Sequence, residues 1–250
     1  MGSYRIAIPA RMASTRLPGK PLADVAGRPL IVRVVEGALA ASAQSVLVVA
    51  DDQRILDAVL GMQVDTLLTP ADLPSGTDRI AYAATVLGWE PDACVVNLQG
   101  DEPLIPAALL DRLAAVLQRG DAPMATVATP INDIASLDDP NQVKVVCDHA
   151  GRALYFSRAP IPFDRDGRRA CRLAPSGALR HLGLYAYRVG FLQCLARTPV
   201  AALEALEQLE QLRVLAMGER IQVLTVDSAP PPGVDTQDDL VRVAAVFSGR

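Results

Sequence analysis

The stretch Tyr4-Arg5-Ile6-Ala7-Ile8-Pro9-Ala10-Arg11-Met12-Ala13-Ser14-Thr15-Arg16-Leu17-Pro18-Gly19-Lys20-Pro21 decides the fold. Its opening is a largely apolar run without the alternation of a strand wetted on one face, so residues 4–9 read as a strand covered on both sides. A loop of small residues carrying three cations follows directly. Working outward, residues 45–50, 64–68 and 93–98 repeat the strand pattern, and 29–41, 52–60, 76–87 and 106–118 carry helical periodicity. That alternation predicts an α/β fold on a parallel sheet, with ligands held at the carboxyl ends of the strands.

After Pro123 the pattern changes. Strands follow one another at 124–130, 142–148, 152–158 and 181–188, with a polar loop at 163–177, as in a smaller, partly antiparallel insertion. A long helix at 201–217, a strand at 221–226 and a helix at 236–247 then return to the main sheet, after the stiff connector Pro230-Pro231-Pro232. The expected division is a nucleotide-binding part at 1–123, an insertion at 124–200 and a returning segment at 201–250. Half of the 250 residues are hydrophobic, enough for a large core.

The net charge of -4 lacks the broad positive field of a nucleic-acid-binding protein, so an anion site must come from local clusters. No apolar run is long enough to span a bilayer and the first residues lack a signal-peptide pattern, so a cytoplasmic protein with no membrane partner is expected. The four cysteines form no C-x-x-C pair; Cys94, Cys147 and Cys194 read as small core residues and Cys171 as a loop thiol.

Arg11, Arg16 and Lys20 lie together after the first strand, as a triphosphate requires: guanidinium forks grip phosphate oxygens in pairs, and a lysine adds a mobile point charge. This is not a Walker loop, because Pro21 follows Lys20, and no G-x-G occurs for a dinucleotide fingerprint. Asp101 ends the apolar run Val95-Val96-Asn97-Leu98-Gln99-Gly100-Asp101, and Asp235 precedes the last helix; two carboxylates from distant segments suffice for Mg2+ shared with phosphates. Both also have the spacing of helix caps, as do Ser75 with Asp78 and Thr236 with Asp239, and these alternatives stay open. Asp164-Arg165-Asp166 reads as a solvated loop, His149 as a turn residue, and Glu210 with Arg213 as a helix pair at i, i+3. The leucines at 203, 206, 209 and 212 suit a core or a dimer seam.

The loop resembles the P-A-R-x-x-S-T-R-L-P-G-K signature of bacterial 3-deoxy-manno-octulosonate cytidylyltransferases, the CMP-Kdo synthetases. Ser75-Gly76-Thr77-Asp78-Arg79, Asn97-Leu98-Gln99-Gly100-Asp101-Glu102-Pro103, Asn141-Gln142-Val143-Lys144, Tyr155-Phe156-Ser157-Arg158, Arg180-His181-Leu182-Gly183, Leu209-Glu210-Gln211-Leu212-Arg213 and Gly233-Val234-Asp235-Thr236 match further motifs in the same order. Ala50 and Val200-Ala201-Ala202 depart from the family's usual residues without removing a ligand.

The resemblance implies a Rossmann-like nucleotide-diphospho-sugar transferase sheet and transfer of CMP from CTP to Kdo with release of pyrophosphate, in lipopolysaccharide biosynthesis. It assigns Pro9, Ala10, Arg11, Ser14, Thr15, Arg16, Lys20, Ser75, Arg79 and Gln99 to CTP, and Asp101 and Asp235 to Mg2+. Gln99, Arg158, His181, Tyr185, Glu210 and Gln211 go to the sugar, with Arg158 and His181 on its carboxylate. A homodimer follows from the resemblance alone. Another sugar acid as acceptor and a catalytically silent nucleotide-binding module are the alternatives.

Overall fold

The computed structural model describes residues 3–14, 16–166 and 177–249. The chain forms two compact units: Met1–Ala115 with Tyr187–Ala196 and Pro230–Arg250, and Val116–Ala186 with Arg197–Ala229.

In the first unit, β1 (Tyr4–Ala10), β4 (Ser45–Ala50), β5 (Asp65–Leu68) and β6 (Cys94–Asn97) lie parallel in the order β6-β1-β4-β5. Ile6 sits between Val46 and Val96 in register, and Ile8 beside Val48. Ile6, Ile8, Val48 and Val96 on one face and Ala7, Leu47, Val49 and Val95 on the other are buried, so both faces of the sheet are covered, as the unalternating apolar runs predict. Each such valine, leucine or isoleucine side chain contributes roughly 1.5–3 kcal/mol on burial.

Helices α1 (Leu30–Leu39), α3 (Gly76–Val86) and α4 (Ala107–Arg119) bury one apolar stripe each: Leu30, Ile31, Val34, Val35 and Ala38 on α1, for example. The carboxylate of Asp111 in α4 accepts a 2.6 Å bond from the Tyr4 hydroxyl at the start of β1. Helices α2 (Gln53–Asp57), α6 (Val189–Arg197) and α9 (Gln237–Phe247) complete this unit.

A hairpin absent from the sequence reading, β2 (Asp24–Val25) and β3 (Arg28–Pro29), turns through Ala26 and Gly27 with φ 51 and 81. The Asp24 carboxylate accepts the Gly27 N–H at 2.7 Å and holds the turn. Val25 then packs with Leu30, Val234, Leu240 and Val243 in one apolar cluster. Burying Val234 there fixes the position of its neighbour Asp235.

In the second unit β7 (Met124–Pro130) pairs in parallel with β11 (Ile221–Thr225) and neighbours β10 (Leu179–Arg188). Antiparallel pairs join β8 (Lys144–Cys147) to β10 and to β9 (Ala153–Ser157). A short α5 (Ile134–Asp138), capped by Asp133, was not foreseen.

The long helix expected over 201–217 is two helices, α7 (Ala202–Glu207) and α8 (Gln211–Ala216). Gln208 breaks it in the left-handed region at φ 53, a conformation that costs roughly 1–2 kcal/mol for a residue with a Cβ. The compensation is tertiary. Arg158 donates from Nε to the Glu207 carbonyl at 2.7 Å, and the Glu207 carboxylate accepts from Ser157 Oγ at 2.7 Å and the Arg158 N–H at 2.9 Å. The leucine stripe divides accordingly: Leu209 and Leu212 are buried, Leu203 and Leu206 exposed. Arg213 pairs with the buried Glu204 of α7 through a 2.7 Å bond from Nε.

Candidate active site

A cleft of ≈ 420 Å³ opens at the carboxyl end of β1, within the first unit, a size suited to a small ligand. It gathers Pro9, Ala10, Arg11, Ser14, Arg16, Lys20, Ser75, Arg79, Gln99, Asp101 and Asp235. Thr15, also expected here, lies outside the described residues.

The centre of the cleft is an ion cluster. Lys20 Nζ lies 2.5 Å from Asp101 Oδ2 and 3.2 Å from Asp235 Oδ1, and donates a third bond to the Val234 carbonyl at 3.0 Å. Burial works to lower the Lys20 pKa, but the charge and hydrogen bond of Asp101, with those of Asp235, outweigh it and hold the ammonium above its ordinary value. Arg16 reaches the other oxygen of Asp235 at 3.2 Å, in a pair exposed enough to contribute little stability.

Neither aspartate caps a helix. The first helix after Asp101 begins at Ala107, and α9 is capped by Thr236 with Asp239 in a capping box. Ser75 holds both places: it caps α3 by accepting the Asp78 N–H at 3.1 Å, and it lines the cleft.

Two glycines allow this convergence. A β-carbon on Gly100 would stand 2.8 Å from the Pro9 carbonyl oxygen, and one on Gly233 2.6 Å from that of Asp101 and 2.7 Å from Glu102 Cδ. The Val234 N–H donates to the Asp101 carbonyl at 2.9 Å, so the two aspartate segments lie backbone to backbone. Burial, reinforced by the Asp101 and Asp235 charges, pushes the nearby Glu102 carboxyl up to about 7.

The cleft also depends on residues that motif reading passed over. Asp51, at the end of β4, accepts the Met12 N–H at 2.9 Å and lies 3.7 Å from the Arg79 guanidinium. Arg79 is buried and donates to Thr69 Oγ1 and the Pro70 carbonyl; burial lowers its pKa, Asp51 opposes the shift and Arg11 adds to it. Asn97 Oδ1 accepts from Gln99 Nε2 at 3.1 Å, aligning that side chain. The i, i+2 spacing of Asn97, the last residue of β6, and Gln99 was the signal for the latter contact.

Two aspartate carboxylates within reach of one cation, beside a cationic loop, are a donor set that fits Mg2+, which takes hard oxygen ligands and keeps phosphate and water among them. Among the described residues no cluster of three or more His, Cys, Asp or Glu side chains forms an all-protein metal cage.

The remaining expected sugar residues lie in the second unit. The rings of His181 and Tyr185 stand 5.4 Å apart, and the Tyr185 hydroxyl donates to Gln211 Oε1 at 3.3 Å; burial, with the Glu210 charge, raises the Tyr185 pKa. Arg158 donates to the carbonyls of Glu207, Pro140 and Gln208.

His181, expected at the sugar carboxylate, is buried, which pushes its pKa down to about 3 and leaves the ring neutral at physiological pH. His149 is exposed in the turn that closes at Gly151, as read from the sequence. Of the cysteines, only Cys94 is fully buried; Cys147 is partly so, Cys194 is exposed, and Cys171 lies outside the described residues. Asp164 accepts the Asp166 N–H at 3.2 Å in a local turn.

Residues 6–221 match the family described as cytidylyltransferase. The chain belongs to that family. Among its relatives in it, a 3-deoxy-manno-octulosonate cytidylyltransferase of Thioalkalivibrio sulfidiphilus is 53% identical over 243 residues, spanning 96% of this chain and 97% of the relative. The enzyme of the same name from Xanthomonas campestris pv. campestris strain 8004 is 53% identical over 244 residues, spanning 96% and 98%. A solved structure of CMP:2-keto-3-deoxy-manno-octonic acid synthetase complexed with CTP superposes with a TM-score of 0.90 at 38% identity, covering 99% of each chain. The matched span takes in residues of both units.

Proposed function

We propose that this cytidylyltransferase transfers CMP from CTP to 3-deoxy-D-manno-octulosonate and releases pyrophosphate. The observation that carries the reading is the convergence of Arg16, Lys20, Asp101 and Asp235 at the mouth of β1, in a chain with near-full-length relatives of that name. In the reading, Arg11, Arg16 and Lys20 hold the triphosphate, and backbone groups around Pro9 and Ala10, with Ser14, Thr15, Ser75 and Arg79, hold the nucleoside. Gln99 faces both substrates.

Asp101 and Asp235 hold Mg2+, which when bound supplies a Lewis acid that offsets charge on the reacting phosphates. The protein's own part is placement and charge: its cations stabilise the pyrophosphate as it leaves, while the anomeric hydroxyl attacks the α-phosphorus in line, without a protein nucleophile. Arg158 provides the cation for the sugar carboxylate, and Tyr185, Glu210 and Gln211 meet its hydroxyls. The second unit accordingly serves the acceptor.

The finer context belongs to the same proposal: a cytoplasmic homodimer supplying an activated sugar for lipopolysaccharide. No described helix is long and apolar enough to cross a membrane. The test is pyrophosphate release by purified protein with CTP and Mg2+, comparing Kdo, its 8-amino analogue, N-acetylneuraminate and no acceptor. Release with Kdo alone is expected; release with another acid alone refutes the acceptor, and silence with all refutes the activity.

A further inference from the structure

His181 offers two ring nitrogens, and the surrounding bonds decide which carries the proton. Thr126 Oγ1 lies 2.9 Å from His181 Nε2 and also donates to the Leu184 carbonyl at 2.8 Å. A hydroxyl has one proton, and that carbonyl can only accept, so toward the imidazole Thr126 is an acceptor. The Nε2 position therefore bears the hydrogen. The ring is held in place from other sides: the His181 N–H donates to the Val143 carbonyl at 2.8 Å, Phe156 meets the ring edge-on at 5.0 Å, and Tyr185 stands at 5.4 Å. Among the described residues none bonds to Nδ1.

We propose that Thr126 is a positioning residue that fixes His181 as the Nε2–H tautomer, so that Nδ1 presents a lone pair as a hydrogen-bond acceptor for a hydroxyl of the acceptor sugar. The choice of a sugar hydroxyl rests on the reading of His181 as facing that sugar; the tautomer does not. The arrangement gives His181 a role opposite to the one its residue type first suggests. It receives a hydroxyl proton and leaves the carboxylate to Arg158. Hydrogen bonding at the second nitrogen is the usual means by which proteins select a histidine tautomer.

The chain has two histidines, and the other, His149, is exposed, so long-range 15N–1H correlation NMR of uniformly labelled protein resolves each ring. In the wild type His181 is expected as Nε2–H at neutral pH. Thr126→Val keeps the shape but removes the acceptor, and a shift of His181 toward Nδ1–H is expected with a KM for the sugar raised about fivefold to tenfold, the size of one neutral hydrogen bond. The KM for CTP stays unchanged, and Thr126→Ser restores both the tautomer and the sugar KM. Finding Nδ1–H in the wild type, a measurement that needs no variant to fold, overturns the proposal. A tautomer shift in Thr126→Val with an unchanged sugar KM overturns the hydroxyl contact and the sugar-facing reading beneath it.

Discussion

Replacing Gly233 by alanine tests whether the close approach of two backbone segments sets the reaction geometry. The added methyl would stand 2.6 Å from the Asp101 carbonyl oxygen and 2.7 Å from Glu102 Cδ, whereas ordinary contact begins at 3.4 Å. The 233–235 segment must therefore retreat by about 0.8 Å, since one of its obstacles is backbone and cannot rotate away. A retreat of that size stretches the 2.9 Å bond from the Val234 N–H to Asp101 beyond hydrogen-bond range and draws Asp235 from Lys20. Overpacking of this kind costs about 1–3 kcal/mol. For a chain of this size that lowers Tm by on the order of 5 °C. A misplacement near 1 Å at a reacting centre costs about 100-fold in rate. Pyrophosphate release should accordingly show kcat reduced by about that factor. Calorimetric CTP affinity without metal should hold within about threefold, because Ser75, Arg79 and Gln99 are untouched. A variant whose Tm falls as expected but whose kcat stays within threefold of wild type would refute the argument that this contact sets the two carboxylates.

The other expectations concern single residues. Asp101→Asn keeps the size of the side chain but removes a charge, and turnover should fall by at least roughly 100-fold while CTP affinity, followed by calorimetry, changes little; undiminished turnover rules out the metal assignment. Arg213→Met leaves Glu204 buried without its guanidinium, so urea unfolding should show a loss of about 3–5 kcal/mol, largely recovered when Glu204→Leu is added. His181 gives a pH dependence of known sign: below pH 6.5 the unfolded chain binds a proton that the buried native ring, with its pKa near 3, refuses. Stability should therefore fall with decreasing pH by up to about 1.4 kcal/mol per unit from this group, and His181→Gln should flatten the dependence between pH 6.5 and 5. Equal slopes in the two proteins would contradict a neutral, buried ring.

The sequence was most legible where chemistry and secondary structure are local. The strand expected over 45–50 and that over 124–130 match β4 and β7 in full, because short runs rich in apolar and β-branched residues favour a strand locally. The cationic loop was legible because Arg11, Arg16 and Lys20 fall in one short segment directly after the first strand, and the Thr236–Asp239 cap because its spacing is three residues. What escaped was decided across the chain. No glycine or proline marks the break at Gln208; it persists because Arg158, about fifty residues earlier, takes the freed carbonyls. The protonation of His181 was not legible, because burial, invisible in a sequence, sets it. The hairpin at Asp24–Pro29 is too short to show periodicity, although Gly27 at its turn was a signal.

Lys20 joins what the sequence presents as separate motifs. Its three ammonium hydrogens face Asp101, Val234 and Asp235, so all of its donors are engaged within the cleft. Bringing two carboxylates to one place costs Coulomb repulsion, and a half-buried ammonium between them turns that cost into attraction. A lysine that served only as a phosphate ligand would have no need of both partners. Lys20 stands at the junction of the loop, the end of β6 and the segment before α9, so if it grips a triphosphate as proposed it would have to release part of this network. On the proposed reading, ligand binding and the placement of the two aspartates would be coupled through one side chain, so substitutions in the 233–235 segment should register in the chemistry even where they touch no nucleotide atom.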